Sequence, residues 1–330
     1  MKKTTSFVSI GTIILLLFIH GCSGCKKEAQ NLSDSPKKTF IGPFMNEDSI
    51  LLYVQKQLEC GPRNPGSNGH SSCKEFLINF LKTKADTAFL QTFSSMVYGR
   101  TYEMSNIVAS FSPDKKDRIL LCAHWDSRPF ADEDETPTKR TLPILGANDG
   151  ASGVAVLLEM ARTLSISKPN IGIDIILFDG EDLGLSGDLN GFFQGSRFAS
   201  KNYPLPKPKY GILLDLVGDK QAEFRYEPLS QQAHFVLVDN IWSIAKERGS
   251  PYFIHETGNS VSDDHVMLNE QGIRTINIID VNLVGNISTN PRRTYWHTSR
   301  DILDNLSMQT MSDVGNVLLD FLFTTSDSVY

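Results

Sequence analysis

Positive charge is not in excess in this sequence: 32 Lys and Arg stand against 38 Asp and Glu, a net charge of -6 over 330 residues. That excludes a duplex-binding protein whose affinity comes from neutralising phosphates. Beyond Ile19 no apolar run is long enough to span a bilayer. No period of about 20 to 50 residues recurs, so solenoids and propellers are excluded. Cysteine is scarce, at 22, 25, 60, 73 and 122, and the one CxxC pair, Cys22 with Cys25, makes no zinc knuckle. Cys60 and Cys73 flank the turn-rich stretch Gly61 to Gly69, and in an exported chain they read either as a disulfide or as free core thiols. What remains is an ordinary globular composition, 40% apolar and 21% charged. Its length suits one large α/β domain or two small ones, with a small molecule or a peptide as partner.

The front of the chain reads as an export signal, with Lys2 and Lys3 ahead of the apolar run Phe7 to Ile19. The run ends Ile19, His20, Gly21, Cys22, which resembles a bacterial lipoprotein cleavage box with Cys22 as lipid anchor. The expected division is a signal at 1–21, a polar tether at 22–45 and a catalytic domain at 46–330. Cleavage removes two lysines and no acid, taking the net charge from -6 to -8. The expected location is the cell envelope, periplasmic or surface-exposed, and the expected state a membrane-anchored monomer.

Asn46 is placed to cap a helix carrying Ile50, Leu51, Val54 and Leu58 at helical spacing. A second helix buries Phe76, Leu77, Phe80 and Leu81. Three β-type runs follow at Phe89 to Val97, Tyr102 to Phe111 and Arg118 to Leu121. Helices are then predicted at Ala151 to Leu164, Gln232 to Arg248 and Leu306 to Phe323, alternating with strands at Ile171 to Phe178, Tyr210 to Val217 and Arg274 to Ile279. Strands separated by helices imply a single α/β domain with a twisted, mostly parallel central sheet covered on both faces.

In such sheets the working groups leave the carboxyl ends of the strands, and here those exits are acidic. They hold His124 and Asp126, then Asp149, then Asp179, Glu181 and Asp182, then Asp215, then Asp263, Asp264 and His265, with His297 completing the set. Taken singly, each has a structural reading: Asp149 as a helix N-cap, Asp215 as a hydrogen-bonded buried acid, His297 as a loop neighbour of Trp296. Together, carboxylates converging on one sheet edge repel one another unless a cation sits among them. Asp215 also lies in an apolar strand, where an unpaired charge is costly. A divalent metal answers both points, and mixed imidazole and carboxylate donors suit zinc better than magnesium.

The segments AHWDSRP at 123–129, GANDGASGVAVLLEMAR at 146–162, DGED at 179–182, GILLDLVGD at 211–219, SDDH at 262–265 and YWHT at 295–298 resemble the bacterial glutaminyl cyclases. The resemblance runs from about Cys60 to Phe323. These enzymes are related to the zinc aminopeptidases with two co-catalytic metals, and ANDG and DGED belong to the shared framework. What the resemblance implies is a glutaminyl-peptide cyclotransferase that turns N-terminal glutamine of peptides and proteins into pyroglutamate with release of ammonia. It further implies one zinc per chain held by Asp149, Asp182 and His297, polarising the side-chain amide, with Glu181 as general acid and base. Asp215 and Asp264 are implied to share a proton in support of the substrate amine, and Trp296 to wall the pocket.

His124 and Asp126 resemble the aminopeptidase pair in which the histidine binds a second zinc and the aspartate orients it. All five ligand positions of a two-metal site are therefore present, and a zinc aminopeptidase is the alternative. An exported binding lipoprotein that keeps the fold without turnover is a further one. Three departures stand out: animal cyclases have glutamate at the position of Asp182 and histidine near Asn277, and the loop Leu183 to Gly195 has no tryptophan. Phe192 is the candidate to fill that part of the pocket.

Overall fold

The computed structural model describes residues 42–327, so the export signal, Cys22 and most of the tether lie outside the described residues. The first helix, α1 (Glu47–Glu59), is capped by Asn46, whose side chain accepts the Ser49 N–H. Met45, just ahead of it, is buried and donates its N–H to Asn316. Then come α2 (Asn68–Lys84), β1 (Thr87–Val97), β2 (Arg100–Phe111), β3 (Arg118–His124), α3 (Ala151–Ile166), β4 (Gly172–Phe178) and α4 (Gln194–Lys201). The chain continues as β5 (Tyr210–Asp215), β6 (Phe224–Tyr226), α5 (Pro228–Arg248), β7 (Phe253–Thr257), α6 (Asp264–Glu270), β8 (Thr275–Ile279) and α7 (Met308–Asp327).

Six strands form the central sheet in the order β1-β2-β4-β3-β5-β8. The hairpin β1-β2 and the β2-β4 pair are antiparallel, whereas β4-β3, β3-β5 and β5-β8 run parallel. Alternation of side chains along each strand splits the core. Leu121, Ala123, Ile175, Leu177, Ile212 and Leu214 pack on one face with residues of α1, α2, α3 and α7. Leu120, Cys122, Ile176 and Leu213 pack on the other with Ala199 of α4 and Leu268 of α6. Burial on both faces explains why β3, β4 and β5 read as nearly unbroken apolar runs.

The strand expected to reach Val217 stops at Asp215, because Leu216 turns into the left-handed region at φ 50° and the Val217 amide goes to Ser152 Oγ. The short parallel pair β6-β7 and the helix α4 were not expected from the sequence. The three residues of β6 are too few to show a period, and their pairing partner is separated from them by the whole of α5.

Candidate active site

The three parallel pairs bring the ends of β3, β4, β5 and β8 to one edge of the sheet, with His124 paired to Phe178 and Asp215 to Ile279. Helix α3 starts at the same edge, two residues after Asp149, with Gly150 as its N-cap, so Asp149 is not the cap its position suggested. Gly153 in its first turn lies so close to β5 that a Cβ there would sit 2.4 Å from the Leu214 carbonyl oxygen. That glycine lets the helix approach the strand, and Asp149 and Asp215 meet as a result.

Two donor clusters form. Ligand atoms of Asp149, Asp182 and His297 all lie within 4.8 Å of one another, as do those of His124, Asp149 and Asp215. Asp149 belongs to both. His297 Nε2 is 3.5 Å from Asp149 Oδ2 and 3.4 Å from Asp182 Oδ1. His124 Nε2 is 3.1 Å from Asp149 Oδ1 and 3.3 Å from Asp215 Oδ1. Buried Asp149 Oδ2, Asp182 Oδ2 and His124 Nδ1 have no hydrogen-bond partner among the described residues. Such orphans are costly unless something else engages them.

Electrostatics agree. Burial pushes Glu181 and Asp182 well above the ordinary carboxylate range and raises Asp215 to about 7, with neighbouring acids adding to each. For His124, burial opposes the charge, but the neighbouring carboxylates of Asp126, Asp149 and Asp215 outweigh it and raise the imidazole well above its usual value. His297 moves the other way, lowered by burial and then by Arg128 and His124, which leaves it a neutral imidazole suited to binding a cation. A divalent ion would relieve both the crowded charge and the orphaned oxygens, so the donors present fit a metal, and their mixed oxygen and nitrogen character fits zinc.

Around this centre is a cavity of about 200 Å³ whose wall includes Glu181, Asp215, Phe192, Trp296 and His297. Trp296 stacks on His297 with ring centroids 3.4 Å apart. His297 itself sits at φ 53°, a strained position for a non-glycine residue that its packed surroundings hold. Phe192 lies under the Arg128 guanidinium, 5.3 Å from it, and its ring fits only because residue 184 is glycine. Asp126 stands behind the wall, accepting the amides of Glu181 at 3.1 Å and Asp182 at 3.2 Å, with His124 Nδ1 3.5 Å away.

Asp264 departs from its expected place. Its carboxylate accepts the Ser196 hydroxyl rather than meeting Asp215, and it does not line the cavity. The adjacent acid, Asp263, does line it, with its other contacts to Asn277 Nδ2 at 2.6 Å and to the Asp264 amide. Asp263 caps α6 in extended conformation, and that backbone turn sends the two neighbours to opposite sides. Asp179, the first acid after β4, is also withdrawn: it accepts the Ser105 amide, and His70 Nε2 lies 2.9 Å from it.

Three positioning residues escaped the sequence reading. Arg128 donates to Asp182 Oδ1 at 2.6 Å and forks onto both oxygens of Asp132. Arg63, fully buried, donates to the carbonyls of Trp125, Leu145 and Gly146, tying the loop after β3 to the segment leading to Asp149. Asp301 accepts the amides of Asn148 and Asp149 at 2.8 and 3.1 Å. Arg128 had a signal, since so many converging acids call for a buried cation; nothing local marked the other two.

Comparison with known proteins follows the same outline. A solved glutaminyl cyclase from Bacteroides thetaiotaomicron, bound to N-acetylhistamine, is 35% identical with a TM-score of 0.81, over 86% of this chain and 99% of that one. A Zn-dependent exopeptidase from Parabacteroides distasonis is 37% identical with a TM-score of 0.80, over 85% and 99%. The glutaminyl-peptide cyclotransferase of Bos taurus is 25% identical over 294 residues, 79% of this chain and 77% of its own length. The model of peptidase family M28 matches residues 106–322, a span that opens in β2 and closes in α7 and so takes in both donor clusters, and the chain belongs to that family.

Proposed function

We propose that the protein is a glutaminyl-peptide cyclotransferase acting on peptides and proteins with N-terminal glutamine. The observation that carries this reading is the 35% identity to a solved glutaminyl cyclase over almost that enzyme's whole length. The reaction joins the α-amino nitrogen of the terminal glutamine to its own side-chain carbonyl carbon, closing a lactam and expelling ammonia. Asp149, Asp182 and His297 would hold one zinc, which when bound supplies Lewis-acid polarisation of the side-chain amide.

The protein's own groups do the rest. Glu181 faces the cavity and takes a proton from the attacking amine, returning one to the departing nitrogen. Asp215 faces the same cavity and supports the amine, while burial above all, and then the charges of Asp182, Asp263 and Asp264, raise the proton affinity of Glu181. Phe192 and Trp296 exclude water and hold the side chain. Arg128 keeps Asp182 turned toward His297. Retained His124 and Asp215 favour the second reading, an aminopeptidase with two metals.

The test is incubation of the purified protein with a peptide beginning in glutamine, followed by mass spectrometry. Loss of ammonia supports the cyclase; loss of a whole residue replaces it with the peptidase. The export reading rests on Lys2, Lys3 and the apolar run up to Ile19. It assigns Cys22 as a lipid anchor in the cell envelope, and a Cys22→Ser chain that is cleaved and still partitions into membrane overturns it.

A further inference from the structure

Outside the two donor clusters, Cys60 and Cys73 lie at the junction of the first two helices. Cys60 ends α1, where its backbone N–H turns back to Gln57 and Leu58. The chain reverses through Gly61 to Ser67, and Ser67 Oγ donates to the Pro62 carbonyl at 2.9 Å. The first turn of α2 then lies directly on Cys60: a Cβ at Gly69 would stand 2.7 Å from the Cys60 carbonyl oxygen. Cys73 is one helical turn beyond Gly69 on the same face, which sets it beside the end of α1; the Cys60 thiol donates to the Lys56 carbonyl at 3.3 Å, and each of the two thiols is the leading influence on the other's proton.

We propose that Cys60 and Cys73 form an oxidisable dithiol whose disulfide fastens α1 to α2. The two sulfurs differ in a way that sets the order of events. Cys60 is partly exposed, and the Cys73 thiol, helped by Arg63, lowers its thiol to about 7 against the opposing effect of burial. Cys73 is buried and is raised by the Cys60 thiol and by burial. Cys60 is therefore the attacking thiolate and Cys73 the resolving thiol. With a small-molecule disulfide as oxidant, Cys60 sulfur displaces one thiolate and forms a mixed disulfide. Cys73 then gives up its proton, attacks the Cys60 sulfur and expels the second thiol. Two protein thiols are oxidised and one external disulfide is reduced to two thiols.

The position gives the bond a consequence. Arg63 is three residues beyond Cys60 and bridges the carbonyls of Trp125, Leu145 and Gly146. A cross-link at Cys60 thus anchors the turn that carries the arginine joining two loops of the active site.

The experiment reduces the full-length protein, removes the reductant and adds oxidised glutathione. Free thiols are then alkylated in denaturant at low pH, and trypsin cuts after Lys56, Arg63 and Lys74, placing the two cysteines in the separate peptides 57–63 and 64–74. The expected result is loss of both alkylated peptides and their recovery as one linked species that dithiothreitol separates. Cys73→Ser should stop at glutathione on Cys60, and Cys60→Ser should leave Cys73 alkylatable. Stable glutathione on Cys60 with Cys73 free in the unmutated protein, no loss of either peptide, or linkage only when oxidation is done in guanidinium chloride overturns the proposal.

Discussion

Glu181 and Asp182 are chain neighbours whose carboxylates serve different sites: Asp182 meets Arg128 at 2.6 Å and His297 at 3.4 Å, whereas Glu181 comes no nearer than 3.8 Å to His124 and faces the cavity. Their variants should therefore diverge. Glu181→Gln keeps shape but loses the base, so turnover should fall ~10²- to 10⁴-fold with zinc content nearly unchanged. Asp182→Asn should lose zinc, and added zinc should restore part of the rate. Metal analysis beside steady-state kinetics reads both, and a zinc-free Glu181→Gln protein would show that the two roles are wrongly assigned.

The two donor clusters share Asp149 but differ in their histidine. With one zinc on Asp149, Asp182 and His297, His297→Ala should empty the site and His124→Ala should leave most of the metal in place. Elemental analysis after dialysis measures this. Two tightly held metals in the unmutated chain, the second lost with His124, would move the protein to the aminopeptidase reading.

Trp296 stacks on His297 and walls the cavity, so its contribution should be to binding. Trp296→Ala should raise KM roughly tenfold, the scale of one lost apolar pocket contact, with a much smaller change in kcat. Trp296→Phe should recover most of the loss. A fall in kcat alone at unchanged KM would place the indole in the chemical step instead.

At Gly153 a methyl group would press on the Leu214 carbonyl and on Ala123, whose Cβ lies 3.1 Å away. Gly153→Ala should cost about 1–3 kcal/mol in urea unfolding. Because it pushes α3 away from β5, zinc affinity should fall as well. Wild-type stability in this variant would mean that α3 can shift without strain.

Much of the fold was legible because its signals are local. Local apolar patterning placed β2, β4, α1, α3 and α7 close to their observed bounds, and the buried, two-faced sheet followed from unbroken apolar strands between helices. The acids at the strand ends were also visible, because parallel strands connected by helices must finish at one edge. What the linear order did not contain was pairing at a distance and direction at a point. Arg63, Arg128 and Asp301 act on partners from remote segments, and β6 finds β7 only across α5. Of the adjacent acids Asp263 and Asp264, the backbone entering α6 turns only the first to the cavity. Residue types and their spacing determined that a charged, metal-suited edge would exist. The dihedral angles and packing that decide which atoms face one another are fixed by contacts between distant parts of the chain, and only the tertiary structure assembles those.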